Sequence, residues 1–256
     1  MNQKPFEALE NQGIAPVISL KDADMAVPLA KAFAAGGITN IEITLRTDAA
    51  IDAIRNIKNA MPEMTVSAGT VLTLNNVDDA VAAGVDYVVT PGFSDEIVNH
   101  CILRGIHVIP GCITASEVDK AVRSGLKYLK YFPAESLGGL KAIDLLCGPY
   151  RGIKFLPTGG MSFDNIGSYL GSKNILACGG SFMANNALIE AENWEAVTAT
   201  QDAQWISLSV FIWRMWESIT GIPKRQKKCA VGWRLSSVCP INPATVPTSV
   251  ELRWNA

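Results

Sequence analysis

At 256 residues, with 48% hydrophobic and 18% charged residues, the chain has an ordinary globular composition and the length of one large domain. A net charge of -2 and a pI near 5.8 give no electrostatic footprint for nucleic acid or an anionic membrane surface, so a small molecule is the expected partner. The opening MNQKPFEALENQG lacks the apolar core of a secretory signal, and no run approaches the ~18 apolar residues of a spanning helix, which together predict a cytoplasmic protein.

A short N-terminal helix is expected first. From residue 14 to about 200 the sequence then repeats one theme: a β-rich run, a polar or glycine-rich turn, an alanine-rich amphipathic stretch, and glycine before the next run. The first run covers residues 16–20 and leads into a helix predicted at 23–35, closed by AAGG. The second, 40–45, reads NIEITL and continues into Arg46. Period-two alternation turns Ile41, Ile43 and Leu45 toward the helices and Glu42, Thr44 and Arg46 toward the interior. A helix at 49–60 follows, then a strand at 65–69 ending in Ala68-Gly69-Thr70, where the Thr70 hydroxyl is placed to donate to a carboxylate or carbonyl.

A helix at 77–83 precedes the strand at 87–90, which runs into Pro91-Gly92-Phe93; a helix at 96–103 precedes the strand at 107–110, and a helix at 115–124 the strand at 128–132. This last run, Tyr128-Leu129-Lys130-Tyr131-Phe132, carries the central observation. Tyr128, Lys130 and Phe132 share one face, so Lys130 is not a surface lysine. An ammonium moved into apolar surroundings is costly unless it is paired or gives up its proton, and a deprotonated lysine is an amine nucleophile. Pro91 and Phe132 are expected as apolar walls that keep it dry. After a helix at 140–147, the strands at 154–157 and 175–178 end in Thr158-Gly159-Gly160 and Gly179-Gly180-Ser181, before helices at 163–170 and 183–199. Glycines let backbone N–H groups approach an anion, and a helix N-terminus adds its positive dipole end, so a phosphate is the expected ligand of these two loops.

Eight strand-helix alternations require parallel strands with crossover helices. The count, and the fall of the functional pieces at strand C-terminal ends, favour a closed α/β (β/α)8 TIM barrel over a doubly wound open sheet. Residues 1–200 form the expected barrel domain. Residues 201–256 change composition, holding five of the six tryptophans and the basic cluster KRQKK at 224–228. They predict an extension of the last helix through about residue 219, then a loose tail.

No metal is expected, because His100 and His107 are the only histidines and lie seven apart without a supporting carboxylate pattern. The six cysteines (Cys101, Cys112, Cys147, Cys178, Cys229 and Cys239) form no CxxC pair and are expected as small apolar fillers in a reducing compartment.

The motifs IEITLR (41–46), AGT (68–70), TPG (90–92), KYFPAE (130–135), LPTGGM (156–161) and GGS (179–181), in this order and spacing, closely resemble the class I 2-keto-3-deoxy-6-phosphogluconate (KDPG) and 4-hydroxy-2-oxoglutarate (KHG) aldolases. The resemblance covers residues 8 to 200. It implies a (β/α)8 barrel, usually a homotrimer, with no metal or organic cofactor and a phosphorylated keto-acid substrate. It further implies Lys130 as the Schiff-base lysine and Glu42 as the general acid/base. Arg46 and Thr70 would hold the pyruvate carboxylate, Pro91 and Phe132 would line the pocket, and Gly159, Gly160, Gly179, Gly180 and Ser181 would bind phosphate. Family members end their last helix soon after the position of Thr200, so residues 201–256 depart from the pattern. Alternatives are an aldolase of the phosphogalactonate series, a phosphosugar isomerase or epimerase, and a non-catalytic sugar-phosphate binding barrel.

Overall fold

The structure is a computed structural model that describes residues 4–200; the predicted helix extension and tail lie outside the described residues. Helix α1 (Lys4–Gln12) is followed by β1 (Ile14–Ile18), a 3-10 turn (Ala23–Met25) with α2 (Ala26–Ala35), β2 (Asn40–Thr44), α3 (Ala50–Ala60), β3 (Thr65–Gly69), α4 (Leu74–Ala83), β4 (Tyr87–Val89) and α5 (Asp95–Arg104). Then come β5 (His107–Ile109), α6 (Ala115–Arg123), β6 (Tyr128–Tyr131), α7 (Gly139–Cys147), β7 (Lys154–Pro157), α8 (Ile166–Leu170), β8 (Cys178–Gly180) and α9 (Asn186–Glu190). Residues 194–200 are helical again.

Local chemistry explains the alternation. Thr73, Ser94 and Thr114 sit one residue before α4, α5 and α6 in extended backbone, and each hydroxyl accepts from a backbone N–H of the first turn, satisfying a donor that the helix itself leaves unpaired. Thr114 and Glu117 complete a reciprocal capping box. Gly84 and Gly105 end α4 and α5 with φ of 90° and 68°, a conformation that a side chain disfavours. In α3 the apolar positions Ala50, Ala53, Ile54 and Ile57 fall on one stripe and are all buried.

Every strand pairing is parallel. One sheet runs in the order β5-β4-β3-β2-β1-β8 and β6 pairs with β7. Isolated parallel bridges link Gly111 to Lys130, Phe155 to Ile175 and Thr158 to Gly179. The fold is therefore α/β with a curved, all-parallel sheet, and strands such as β2 are buried along their whole length. Helix α1 covers the N-terminal strand ends. Its Phe6 ring packs against Tyr87, His107 and Tyr128, the first residues of β4, β5 and β6, with centroids 5.8, 4.7 and 4.5 Å away. Burial of that ring stabilises the fold by about 2–3 kcal/mol. The C-terminal strand ends remain for function.

Three expectations need correction. Strand β8 begins at Cys178 and includes Gly179 and Gly180, whereas the sequence pattern places them in a loop; they pair with Ala15 and Pro16 of β1, and bare glycine backbone suits that close approach. The helix expected at 183–199 is two helices, because Asn185 and Asn193 each accept a first-turn N–H, from Leu188 and Ala196, and Glu192 between them has φ of 51°. The helix expected at 163–170 starts only at Ile166, since the Asn165 side chain accepts from Ser162 N and donates to Gly160 O, holding the preceding residues as a turn.

Candidate active site

Lys130 is the third residue of β6 and Glu42 the third of β2. Lys130 Nζ donates to Glu42 Oε1 at 3.2 Å, with side-chain exposures of 8% and 1%. The lysine backbone is fixed on both sides, donating to Pro110 O (2.8 Å) and accepting from Cys112 N (2.9 Å), while its partner in β7 is Leu156. Glu42 is fixed by shape: a β-carbon on Gly69, which pairs with Thr44, would lie 2.1 Å from Glu42 Oε1. Ions taken from water at this depth are destabilising unless they meet each other, and this pair does.

One layer nearer the strand C-termini stand Thr44, Phe132 and Thr158, two residues beyond Glu42, Lys130 and Leu156 on the same faces. They line a cavity of about 460 Å³, together with Arg46, Gly159, Gly160, Gly180 and Ser181. Lys130 and Glu42 lie under this layer and are not part of the cavity wall; the Phe132 ring centroid, 5.8 Å from Lys130 Nζ, connects the two levels.

The other predicted residues divide. Arg46 is exposed, and its Nε donates to Thr70 Oγ1 at 3.1 Å, so those two come together at the rim. Thr70 has φ of 57°, an uncommon conformation for a threonine. Pro91 does not line the cavity; its carbonyl packs on Gly111, where a β-carbon would come within 2.1 Å of it. Gly159 and Gly160 turn with φ of 92° and 81°. Gly180 and Ser181 face the cavity, whereas Gly179 sits behind it, where a β-carbon would be 2.6 Å from Thr158 Oγ1.

Sequence reasoning assigned no role to four residues that shape this site. The Thr158 hydroxyl is buried, has no hydrogen-bond partner among the described residues and stands between the lysine level and the glycine turn. Glu135 braces that turn, its Cβ and Cγ filling the space 2.6 Å from a β-carbon on Gly160, and Tyr169 donates to its Oε1. Burial, helped by the Glu135 carboxylate, pushes the Tyr169 phenol above its ordinary pKa. Asn165 holds the Gly160 carbonyl at 2.9 Å. The only signal for Glu135 was its place in KYFPAE.

Among the described residues no three His, Cys, Asp or Glu side chains are grouped as a metal site. His100 Nε2 lies 3.0 Å from Asp78 Oδ1, which also takes Arg104. Cys101, Cys112, Cys147 and Cys178 are buried free thiols; Cys229 and Cys239 lie outside the described residues.

A buried amine against a carboxylate, at the C-terminal end of a parallel sheet and below a glycine-walled cavity, is the equipment of a class I aldolase. The family model for KDPG and KHG aldolases matches residues 6–200. A 2-dehydro-3-deoxy-phosphogluconate aldolase of Treponema pallidum is 42% identical over 194 residues, covering 76% of this chain and 92% of that one. The solved KDPG aldolase of Legionella pneumophila, with pyruvate captured as a covalent carbinolamine, aligns with a TM-score of 0.75 at 35% identity, covering 78% of this chain and 97% of that one. A KDPG aldolase of Zymomonas mobilis, solved with 3-phosphoglycerate, gives a TM-score of 0.71 at 32% identity over 79% of this chain and 95% of its own. The chain belongs to the KDPG and KHG aldolase family.

Proposed function

We propose that this protein cleaves 2-keto-3-deoxy-6-phosphogluconate to pyruvate and glyceraldehyde 3-phosphate through a Schiff base on Lys130, and acts also on 4-hydroxy-2-oxoglutarate. The observation that carries the reading is the 3.2 Å contact of Lys130 Nζ with Glu42 Oε1, both buried just below the cavity.

The following steps are supported by the placement of these residues. Attack needs the amine without its extra proton, and Glu42 is the acceptor within reach. Nζ adds to the C2 carbonyl, Glu42 protonates the resulting oxygen, and loss of water leaves a cationic iminium. Glu42 then takes the C4 hydroxyl proton, the C3–C4 bond breaks toward the iminium, and the aldehyde leaves. The enamine that remains is protonated at C3, and water releases pyruvate and the amine. Arg46, oriented by Thr70, offers a planar fork for the substrate carboxylate at the rim. Phe132 supplies an apolar wall of the cavity. A substrate reaching from Lys130 to the turn at Gly159 and Gly160 passes Thr158, and its phosphate meets backbone N–H groups there and at Gly180 and Ser181, with Gly179 opening room behind them.

The eight strands are read as a closed (β/α)8 barrel spanning residues 1–200, a reading supported by the parallel bridges that join β6 to the end of β5 and β7 to β8. A homotrimer working in the cytoplasm is carried by the family resemblance, and light scattering checks the assembly.

Borohydride reduction in the presence of pyruvate tests the function. The expected result is a stable three-carbon adduct on Lys130 and no labelling of Lys130→Met. An isomerase, an epimerase or a binding protein would gain no label.

A further inference from the structure

The phosphate cradle proposed above is built from two turns on different strands. Gly159 and Gly160 follow β7, whereas Gly180 ends β8 and Ser181 follows it. The two strands are joined by single parallel bridges, Phe155 with Ile175 and Thr158 with Gly179. Past the second bridge the turns meet through side chains. The Met161 Cβ stands 3.5 Å from where a β-carbon on Gly180 would be, an ordinary contact. The rings of Phe163 and Phe182 then meet edge to face, with centroids 4.8 Å apart and planes at 77°.

Each ring has a definite place. Phe182 follows Ser181 and lies on the glycine end of β8: a β-carbon on Gly180 would be 2.5 Å from both Cδ1 and Cε1 of the ring. Glycine at this position admits the ring, and the ring in turn backs a stretch of backbone that faces the cavity. Glu135 stands behind Gly160 in the same way. Phe163 comes three residues after Gly160, inside the turn that Asn165 closes by accepting from Ser162 N and donating to Gly160 O, both at 2.9 Å. Its side chain is 38% exposed and outside the core, so what it contributes is the contact with Phe182, in a geometry that aromatic rings favour over a flat sandwich.

A phosphate held by N–H groups of two turns depends on the spacing of those turns. Each donor must come within about 2.7–3.2 Å of its oxygen, so a shift of one turn by about 1 Å loses the bonds it makes. We propose that Phe163 and Phe182 are positioning residues for the phosphate end of the substrate: their ring pair clasps the Gly160 turn to the Gly180 turn and sets the distance between the two groups of N–H donors. Neither ring needs to touch the substrate. Lys130 and Glu42, on β6 and β2, and the rim pair Arg46 and Thr70 hold the keto-acid end from other strands, so the clasp acts on one end of the substrate only.

The proposal rests on the aldolase reading and its phosphate cradle. Full-length protein carrying Phe163→Ala, Phe163→Tyr, Phe182→Leu, or Phe163→Ala and Phe182→Leu together tests it. The readouts are kcat and KM for 2-keto-3-deoxy-6-phosphogluconate, and the pyruvate concentration that half-saturates borohydride trapping, since pyruvate carries no phosphate. For Phe163→Ala, KM should rise about five- to tenfold, with kcat and the pyruvate half-saturation each within about twofold of the parent. Phe163→Tyr keeps the ring edge and, from a part-exposed position, can turn its hydroxyl to solvent; its KM should match the parent. Phe182→Leu should raise KM by a factor similar to that of Phe163→Ala, and carries the test if the alanine variant does not fold. The double variant should go little further than either single one, because both break the same contact. The proposal is overturned by a Phe163→Ala KM within about twofold of the parent, by an equal rise for pyruvate and the phosphorylated substrate, by a Phe163→Tyr enzyme as weak as Phe163→Ala, or by additive losses in the double variant. If the unsubstituted protein fails to trap pyruvate, the aldolase reading falls and this proposal with it; if it traps pyruvate and the variants bind the phosphorylated substrate as it does, the proposal falls alone.

Discussion

Gly69 and Glu42 occupy one space: the carboxylate Oε1 lies 2.1 Å from where a β-carbon on Gly69 would be, and Glu42 Cδ and Cγ lie at 2.7 and 2.8 Å. Glycine at the end of β3 is thus what lets a carboxylate sit beside the lysine.

Gly69→Ala should therefore push Glu42 away from Lys130. The methyl group cannot be absorbed by a flexible side chain end alone, because Cγ and Cδ are also too close. Overpacking of this kind is destabilising by about 1–3 kcal/mol. The larger effect should be on turnover, down by about a hundredfold as expected for a displaced general acid/base. Steady-state kinetics with denaturant titration checks both, and a Gly69→Ala enzyme of normal rate would mean that Glu42 needs no such room.

The buried ion pair makes a contrasting prediction about single and double variants. Lys130→Met leaves a carboxylate without its cation at 1% exposure and should cost about 3–5 kcal/mol of stability as well as all turnover. Glu42→Gln should retain a trapped pyruvate adduct yet turn over about a hundredfold more slowly. The double variant Lys130→Met, Glu42→Gln removes both charges and should regain much of the stability that Lys130→Met loses. Urea unfolding of the four proteins measures the coupling directly; additive losses would show that the two charges do not support each other.

How much of this was legible in the sequence follows from the range over which each signal acts. Period-two alternation in β2 and β6 turned Glu42 and Lys130 inward, and their motifs fixed their strand positions. What escaped is three-dimensional. Pro91 reads as a pocket wall because it follows a strand, yet its carbonyl packs against Gly111, which belongs to another turn. Gly179 and Gly180 read as a loop because glycine usually breaks strands, but pairing with Ala15 and Pro16 overrode that preference. Glu135 meets Tyr169 and Gly160, 34 and 25 positions away in the chain, and no local pattern records such a brace.

That brace should matter to substrate binding at the phosphate end. Tyr169 donates to Glu135, and Glu135 in turn fills the space beneath Gly160. Tyr169→Phe removes the donor while keeping the ring. KM for the phosphorylated substrate should rise by about three- to tenfold with kcat nearly unchanged, whereas an unphosphorylated keto-acid should be little affected. An equal rise for both substrates would place the effect elsewhere.

Alkaline pH should weaken the fold through the buried thiols. Burial pushes Cys101, Cys112 and Cys178 from 9.0 up to about 12 and Cys147 up to about 11. These groups hold their protons in the folded state and lose them near 9 once unfolded. The unfolded chain therefore binds fewer protons above that pH, and stability must fall as pH rises from about 9 toward 12. Each thiol contributes a slope of up to about 1.4 kcal/mol per pH unit in that window. Denaturant midpoints measured from pH 7 to 11 should show a plateau and then this decline, and Cys178→Ala should make the decline shallower. A stability that held level to pH 11 would mean that the thiols ionise alike in both states.

Arg46 and Thr70 offer the sharpest test of substrate orientation at the rim. Arg46 Nε donates to the Thr70 hydroxyl, which leaves the two terminal guanidinium nitrogens as a planar fork, and Thr70 maintains this with its backbone at φ of 57°. A carboxylate fits such a fork through two parallel hydrogen bonds, a geometry that the single ammonium of lysine does not reproduce. Arg46→Lys keeps the charge, so electrostatic attraction alone would leave binding unaltered. If the fork matters, Arg46→Lys should raise the pyruvate concentration needed for half-maximal trapping by about tenfold, and Thr70→Val should do so by about threefold through loss of the orienting bond alone. Because trapping is measured at equilibrium with pyruvate, which carries no phosphate, the result bears only on the carboxylate end. Half-saturation unchanged in Arg46→Lys would reduce Arg46 to a simple positive charge at the rim.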